Sequence, residues 1–107
     1  MKTLFATMAE IARQRAVSGK SYREFLRVPT MSAGLYVLPA GGIDPQLPHH
    51  EDEMYYVIGG KARFRAGDED GEVAAGTVLF VAAEVEHRFY DIAEELAVLV
   101  LFAPAES

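Results

Sequence analysis

The chain has 107 residues, half of them hydrophobic, with no cysteine and a formal net charge of −6. That length supports one domain around one core. The absence of cysteine excludes disulfides, thiolate nucleophiles and Cys-type zinc sites, and the acidic balance argues against nucleic acid, whose binding rests on neutralising phosphates. The longest apolar run, residues 96–103, is too short to span a membrane. The opening MKTLFATMAEIARQR is broken by Glu10 before it could serve as a secretory signal. A cytoplasmic protein with no membrane partner is expected. Charge is unevenly spread: through Arg27 there are six Lys/Arg against two Asp/Glu, and from Asp44 to Glu95 four against thirteen. That asymmetry reads either as two solvated faces or as a basic N-terminal segment that docks on the acidic body of a partner subunit.

Leu4, Phe5, Met8, Ile11 and Ala12 recur at helical spacing, so a helix is predicted over residues 3–15, capped by Thr3, with Arg13 and Arg15 in its last turn and Gly19 beyond its end. From Tyr22 the pattern becomes strand-like. Strands are predicted at residues 22–28 and 32–38, then at 53–58 and 61–66 as a hairpin about Gly59-Gly60. After a turn over residues 67–71 come short strands at 72–74, 77–81, 87–91 and 95–102. About eight short strands after one helix is the pattern of a β-sandwich or barrel. The division expected is a helical extension over residues 1–20 and a β domain over 21–107. Residues 54–58, 78–81 and 96–102 are apolar at successive positions, which asks for cover on both sheet faces. A second copy of so small a chain is an economical cover, so a homodimer is predicted.

The stretch GGIDPQLPHHEDEMYYVIGG, residues 41–60, holds two of the three histidines. His49 and Glu53 are four apart, and in extended chain even separations put side chains on one face. His87 lies beyond a second Gly-punctuated apolar stretch. Two imidazoles and a carboxylate converging inside a β structure form a metal site with open positions. Burying a carboxylate is costly unless a cation accompanies it, and either a divalent metal or a protonated histidine would serve. His50 has the opposite parity and is expected at the surface. Glu51 is an alternative ligand, and Gln46 reads as an amide ligand, a substrate contact or an ordinary loop residue. Tyr36, Leu47, Tyr55, Phe64, Phe80, Phe89 and Phe102 are the candidates for lining the interior.

These residues resemble the cupin superfamily of small jelly-roll barrels. Its first motif, Gly-x5-His-x-His-x3–4-Glu-x6-Gly, is matched in spacing by Gly41, Leu47, His49, Glu53 and Gly60. Its second, Gly-x5-Pro-x-Gly-x2-His-x3-Asn, is matched by Gly76, Ala82, Glu84, His87 and Asp91. Leu47 stands where the motif has a metal-binding His, Ala82 and Glu84 replace Pro and Gly, and Asp91 replaces Asn. The resemblance implies an all-β cupin jelly-roll barrel with a short N-terminal helix, and a divalent metal (Fe, Mn, Ni or Zn) held by His49, Glu53 and His87. It also implies an enzyme acting on a small organic molecule: oxygenase chemistry with iron, lyase or isomerase chemistry with the others. The competing readings are a non-catalytic small-molecule-binding or sensing cupin, which Leu47 favours by making the interior less polar, and a structural dimerisation module with a filled barrel.

Overall fold

The structure is a computed structural model and describes residues 3–107. One helix, α1 (Met8–Ser18), precedes six strands: β1 (Tyr22–Val28), β2 (Met31–Leu38), β3 (Asp52–Ala66), β4 (Glu69–Ala74), β5 (Val78–Val81) and β6 (His87–Ala103). All strand pairings are antiparallel. Among the described residues, no helix is long and apolar enough to cross a membrane.

The helix begins about a turn later than its apolar spacing predicts. Thr7, not Thr3, is the N-cap, and its hydroxyl accepts from the Glu10 N–H at 3.1 Å. The segment Thr7-x-x-Glu10 carries the capping signature that Thr3 lacks. Only Ile11 of α1 is buried. Helix α1 contacts β1 and β2, and Ile11, Ala33 and Leu35 are all buried although none belongs to the inner core cluster. They form a separate contact on the outer side of the sheet, which places the helix against the outside of the barrel.

The largest departure from expectation concerns the strands. Residues 53–58 and 61–66 are not a hairpin, and residues 87–91 and 95–102 are not separate strands. Each pair is one long strand, β3 and β6, so the count falls from eight to six. The N-terminal half of β3 pairs with β5 and with the C-terminal half of β6; its C-terminal half pairs with β4 and with the N-terminal half of β6. Register shifts between Val57 and Arg63 mark where both strands bend from one sheet into the other. The result is a five-stranded layer, β1-β2-β6-β3-β5, facing a three-stranded layer of β6, β3 and β4. Tyr55, Val57, Phe64, Phe89, Leu96, Val98 and Phe102 fill the space between them.

Gly60 is the bend, not a turn tip. Its φ is +98°, and a Cβ there would collide with the backbone carbonyl of Glu95. Two motif departures also resolve here. Glu84 and Asp91 adopt φ of 69° and 46°, so the chain reaches the left-handed geometry without the Gly and Asn of the motif, at a cost near 1 kcal/mol for a residue such as Glu.

On the outer side of the larger layer, Met54 lies opposite Phe80 and Tyr56 opposite Val78. With Ile58 they are exposed, Phe80 at 63%. The inner face of these strands is covered by the core; the outer face, in the single chain, is not.

Gly60→Ala is expected to lower stability by about 2 kcal/mol or more, through strain and overlap together. Gly59→Ala meets nothing within 4 Å and should stay within about 0.5 kcal/mol of the parent. Urea unfolding of both variants tests this; equal effects would contradict the bend assignment.

Candidate metal centre

His49 sits in the loop before β3, Glu53 on β3, and His87 at the start of β6. Hydrogen bonds between the loop and the 82–85 turn bring the two motifs together. The Glu84 N–H donates to the His49 carbonyl at 2.7 Å, the Ala83 N–H to Asp52 Oδ1 at 2.9 Å, and His50 Nδ1 meets Glu84 Oε1 at 2.7 Å. His50 is at the surface, as its parity predicts.

Among the described residues, His49, Glu53 and His87 each offer one donor atom, all within 4.8 Å of one another. His87 Nε2 lies 2.9 Å from Glu53 Oε1, and His49 Nε2 lies 3.9 Å from it. Glu53 is 2% and His87 3% exposed. The short contact is not a hydrogen bond in geometry: His87 Nε2 and both Glu53 carboxylate oxygens are buried without hydrogen-bond partners. His87 Nδ1 approaches the Val85 carbonyl at 2.8 Å. A carbonyl only accepts, so Nδ1 carries the proton and Nε2 of the neutral ring turns a lone pair toward Glu53. Two lone-pair-bearing atoms aimed at common space repel unless a cation lies between them. An ion with bonds near 2.1 Å holds adjacent donors about 3 Å apart and opposite ones about 4.2 Å apart, and the separations of His87 Nε2 and His49 Nε2 from Glu53 Oε1, 2.9 and 3.9 Å, lie close to those values. The donor set fits a divalent metal.

Beside His49 and Glu53 is a cavity of about 170 Å³, lined by Tyr22, Tyr36, Pro45, Gln46, His49, Glu53, Val100, Phe102 and Glu106. Tyr36 and Phe102 therefore line it, while Tyr55, Phe64 and Phe89 form the packed floor beneath, with Tyr55 and Phe64 ring centroids 6.1 and 6.2 Å from that of His87. Two expected lining residues lie elsewhere. Leu47 is 77% exposed because its loop turns it to solvent, and Phe80 is on the outer face of β5. Glu51 is buried, but its Oε2 accepts the Ser107 N–H at 3.1 Å, which engages it outside the cluster. Gln46 contacts both His49 and Tyr55, at 3.2 and 3.0 Å.

Three participants escaped the sequence reading. Asp44 is 6% exposed and accepts from the Tyr36 hydroxyl, the Phe89 N–H and the Gln46 side-chain amide at 2.7, 2.9 and 2.8 Å, with the Gln46 backbone N–H at 3.3 Å. Tyr22 lies across Gly34, where any side chain would collide with its ring, and its buried hydroxyl lacks a partner. Glu106 reaches the cavity from the chain's last residues, with Oε2 3.4 Å from His49 Nδ1. Burial is the chief cause that raises the Glu106 pKa. Burial also raises those of Tyr22 and Tyr36, so both stay neutral phenols. No local signal marks Asp44 or Glu106 in the sequence, because each acquires its role from distant partners.

Residues 34–103 match the Cupin domain family, and the chain belongs to that family. It is 47% identical over 98 residues to an uncharacterized protein of Streptomyces coelicolor, covering 92% of this chain and 93% of that one. Among solved structures it resembles an RmlC-like cupin with a double-stranded β-helix fold from Methanocaldococcus jannaschii, with a TM-score of 0.70, 19% identity and 78% of each chain covered. It also resembles a Bacillus halodurans protein, with a TM-score of 0.81, 17% identity, and 96% of this chain and 82% of that one covered. These likenesses establish the double-stranded β-helix fold.

Burial opposes protonation of His87, but the Glu53 carboxylate, the Val85 carbonyl and Asp44 favour it, and the balance lies above the usual histidine value. A raised folded-state pKa contributes stability that is complete below the unfolded value, about 6.5, and is lost as pH rises through the folded value. Metal-free protein should therefore melt lower as pH rises through that window, and Glu53→Gln should flatten the slope. A melting temperature in chelator that climbs over the same window would contradict the pairing.

Proposed function

We propose that this cupin is a metal-dependent enzyme acting on a small organic molecule, with His49, Glu53 and His87 holding Fe(II), Mn(II), Ni(II) or Zn(II). One observation carries the reading: a buried carboxylate and a buried imidazole lone pair face common space with no hydrogen-bond partner for either. Leaving such groups unmatched costs several kcal/mol, and a cation removes that cost. When bound, a divalent ion would supply Lewis acidity to an oxygen of the substrate or, as iron, engage dioxygen. The first-row metals share these ligands, so dioxygenase, lyase and isomerase chemistries all lie within reach, with dioxygenase-like chemistry favoured.

The chain's own residues set the substrate's limits. The cavity beside the donors is small, about 170 Å³. Val100, Phe102 and the ring of Tyr36 give it apolar walls against which a flat or aliphatic body can rest. The Tyr22 hydroxyl, kept protonated, offers a donor without a partner, and Glu106 offers an acceptor at the same wall. The apolar walls also support the second reading, a ligand-binding cupin without catalysis.

Protein purified without an affinity tag is expected to contain about one equivalent of a first-row metal. His49→Ala and the near-isosteric Glu53→Gln should abolish that content while leaving the circular dichroism of the parent. Metal-free parent protein, stabilised instead by small aromatic acids in thermal shift, would favour the non-catalytic reading.

We also propose that the exposed outer face of β3 and β5 meets a second copy of the chain. An uncovered row of Met54, Tyr56, Ile58, Val78 and Phe80 exceeds the scattered exposure of an ordinary monomer surface. Helix α1 covers only the β1–β2 side of the same layer. The chain is basic through Arg27 and acidic from Asp44 to Glu95, which favours a two-fold arrangement with the α1–β1 end of one copy over the β3–β5 end of the other. Sedimentation at micromolar concentration should show a dimer for the parent and a folded monomer for Phe80→Glu. A monomeric parent would contradict it.

A further inference from the structure

The cupin motif calls for a donor at position 47, and Leu47 supplies none, being turned to solvent. Its neighbour Gln46 is differently placed. The Gln46 amide Nε2 lies 2.8 Å from Asp44 Oδ2. A carboxylate only accepts, so this atom must be the NH2 group, and the orientation of the amide is fixed without ambiguity. Asp44 is itself immobilised by the Tyr36 hydroxyl and the Phe89 N–H. The carbonyl oxygen, Gln46 Oε1, is thereby aimed inward, where the Tyr55 hydroxyl donates to it at 3.0 Å. It lies 3.2 Å from His49 Nε2, the atom His49 would give to a metal.

We infer that Gln46 Oε1 is the fourth protein donor of the metal centre, standing in from the adjacent position for the histidine that Leu47 replaces. The inference rests on the metal reading above and specifies the donor set. A carbonyl oxygen has two lone pairs. Tyr55 occupies one, and the other faces His49 Nε2. Donors at right angles on one ion with bonds near 2.1 Å lie about 3 Å apart, close to the Gln46–His49 separation. Without metal, the same geometry lets His49 donate from Nε2 to Gln46. With metal, Nε2 would be the ligand and the His49 proton would reside on Nδ1, which lies 3.4 Å from Glu106 Oε2. The chain thus offers a partner for either tautomer. The resulting set is two imidazoles, one carboxylate and one amide oxygen. It is harder than three imidazoles and a carboxylate, and should favour oxygen-preferring ions over copper.

The test uses the full chain, freed of metal and reloaded. A crystal structure of the Zn(II)-loaded protein should place Gln46 Oε1 within about 2.3 Å of the ion. In Co(II) titrations, Gln46→Leu should bind about tenfold more weakly or worse and show altered visible absorption bands, the mark of a changed ligand set. An ion on His49, Glu53 and His87 with Gln46 Oε1 beyond hydrogen-bond range, and a Gln46→Leu spectrum identical to the parent's, would overturn the fourth donor and leave the three-residue centre standing. An ion that does not bind at those three residues overturns both.

Discussion

Both oxygens of the Glu53 carboxylate lie buried inside the barrel without a hydrogen-bond partner, and one of them is 2.9 Å from an equally unpartnered imidazole nitrogen. A charge so placed is a liability for a chain of this size, whose total stability is small. Three solutions exist: a protonated histidine, a protonated carboxyl, or a metal ion. The spacing of His49 from Glu53 matches the third, and protonation of His87, which the Glu53 carboxylate favours against burial, would serve when metal is absent. Proton and ion compete for one place.

The surroundings of that carboxylate follow from how the fold delivers them. Glu53 is on a central strand flanked by β5 and β6, and His87 opens the strand that pairs along nearly all of β3. Both positions are held by strand pairing. His49 lies in a loop, and hydrogen bonds to the 82–85 turn together with its edge-on contact with Phe102, at a centroid distance of 4.8 Å, hold it in place. Asp44 performs the same service for Gln46, and by joining Tyr36, Phe89 and Gln46 it ties the loop to two strands. An aspartate buried with four donors, two of them from Gln46, is structural in the sense that it positions others; it is not itself aimed at the cluster.

Much of this was legible in the sequence, unevenly and for identifiable reasons. The parity of His49, His50 and Glu53 is a local property of extended chain, and the structure orients these side chains accordingly. The spacing of the two glycine-bounded motifs identified the family. Strand continuity was illegible: Gly59-Gly60 carries the composition of a hairpin tip, and only the approach of Glu95 to Gly60 distinguishes a bend from a turn. The helix start was misplaced because two threonines compete and the apolar stripe of residues 4–8 is exposed, not buried. Leu47 and Phe80 illustrate a further limit. Hydrophobicity predicts burial somewhere, and neither residue is buried in the single chain. Tyr22, Asp44 and Glu106 join the site through contacts distant in sequence, which no local pattern encodes.

A metal centre here requires one ion shared by side chains from both motifs. X-ray absorption at the metal edge of loaded protein measures that directly. Two imidazoles in the first shell, with the remaining scatterers oxygens at about 2.1 Å, is the predicted result. A shell with one imidazole or none would mean that His49 and His87 do not meet on a metal, and would contradict the shared centre.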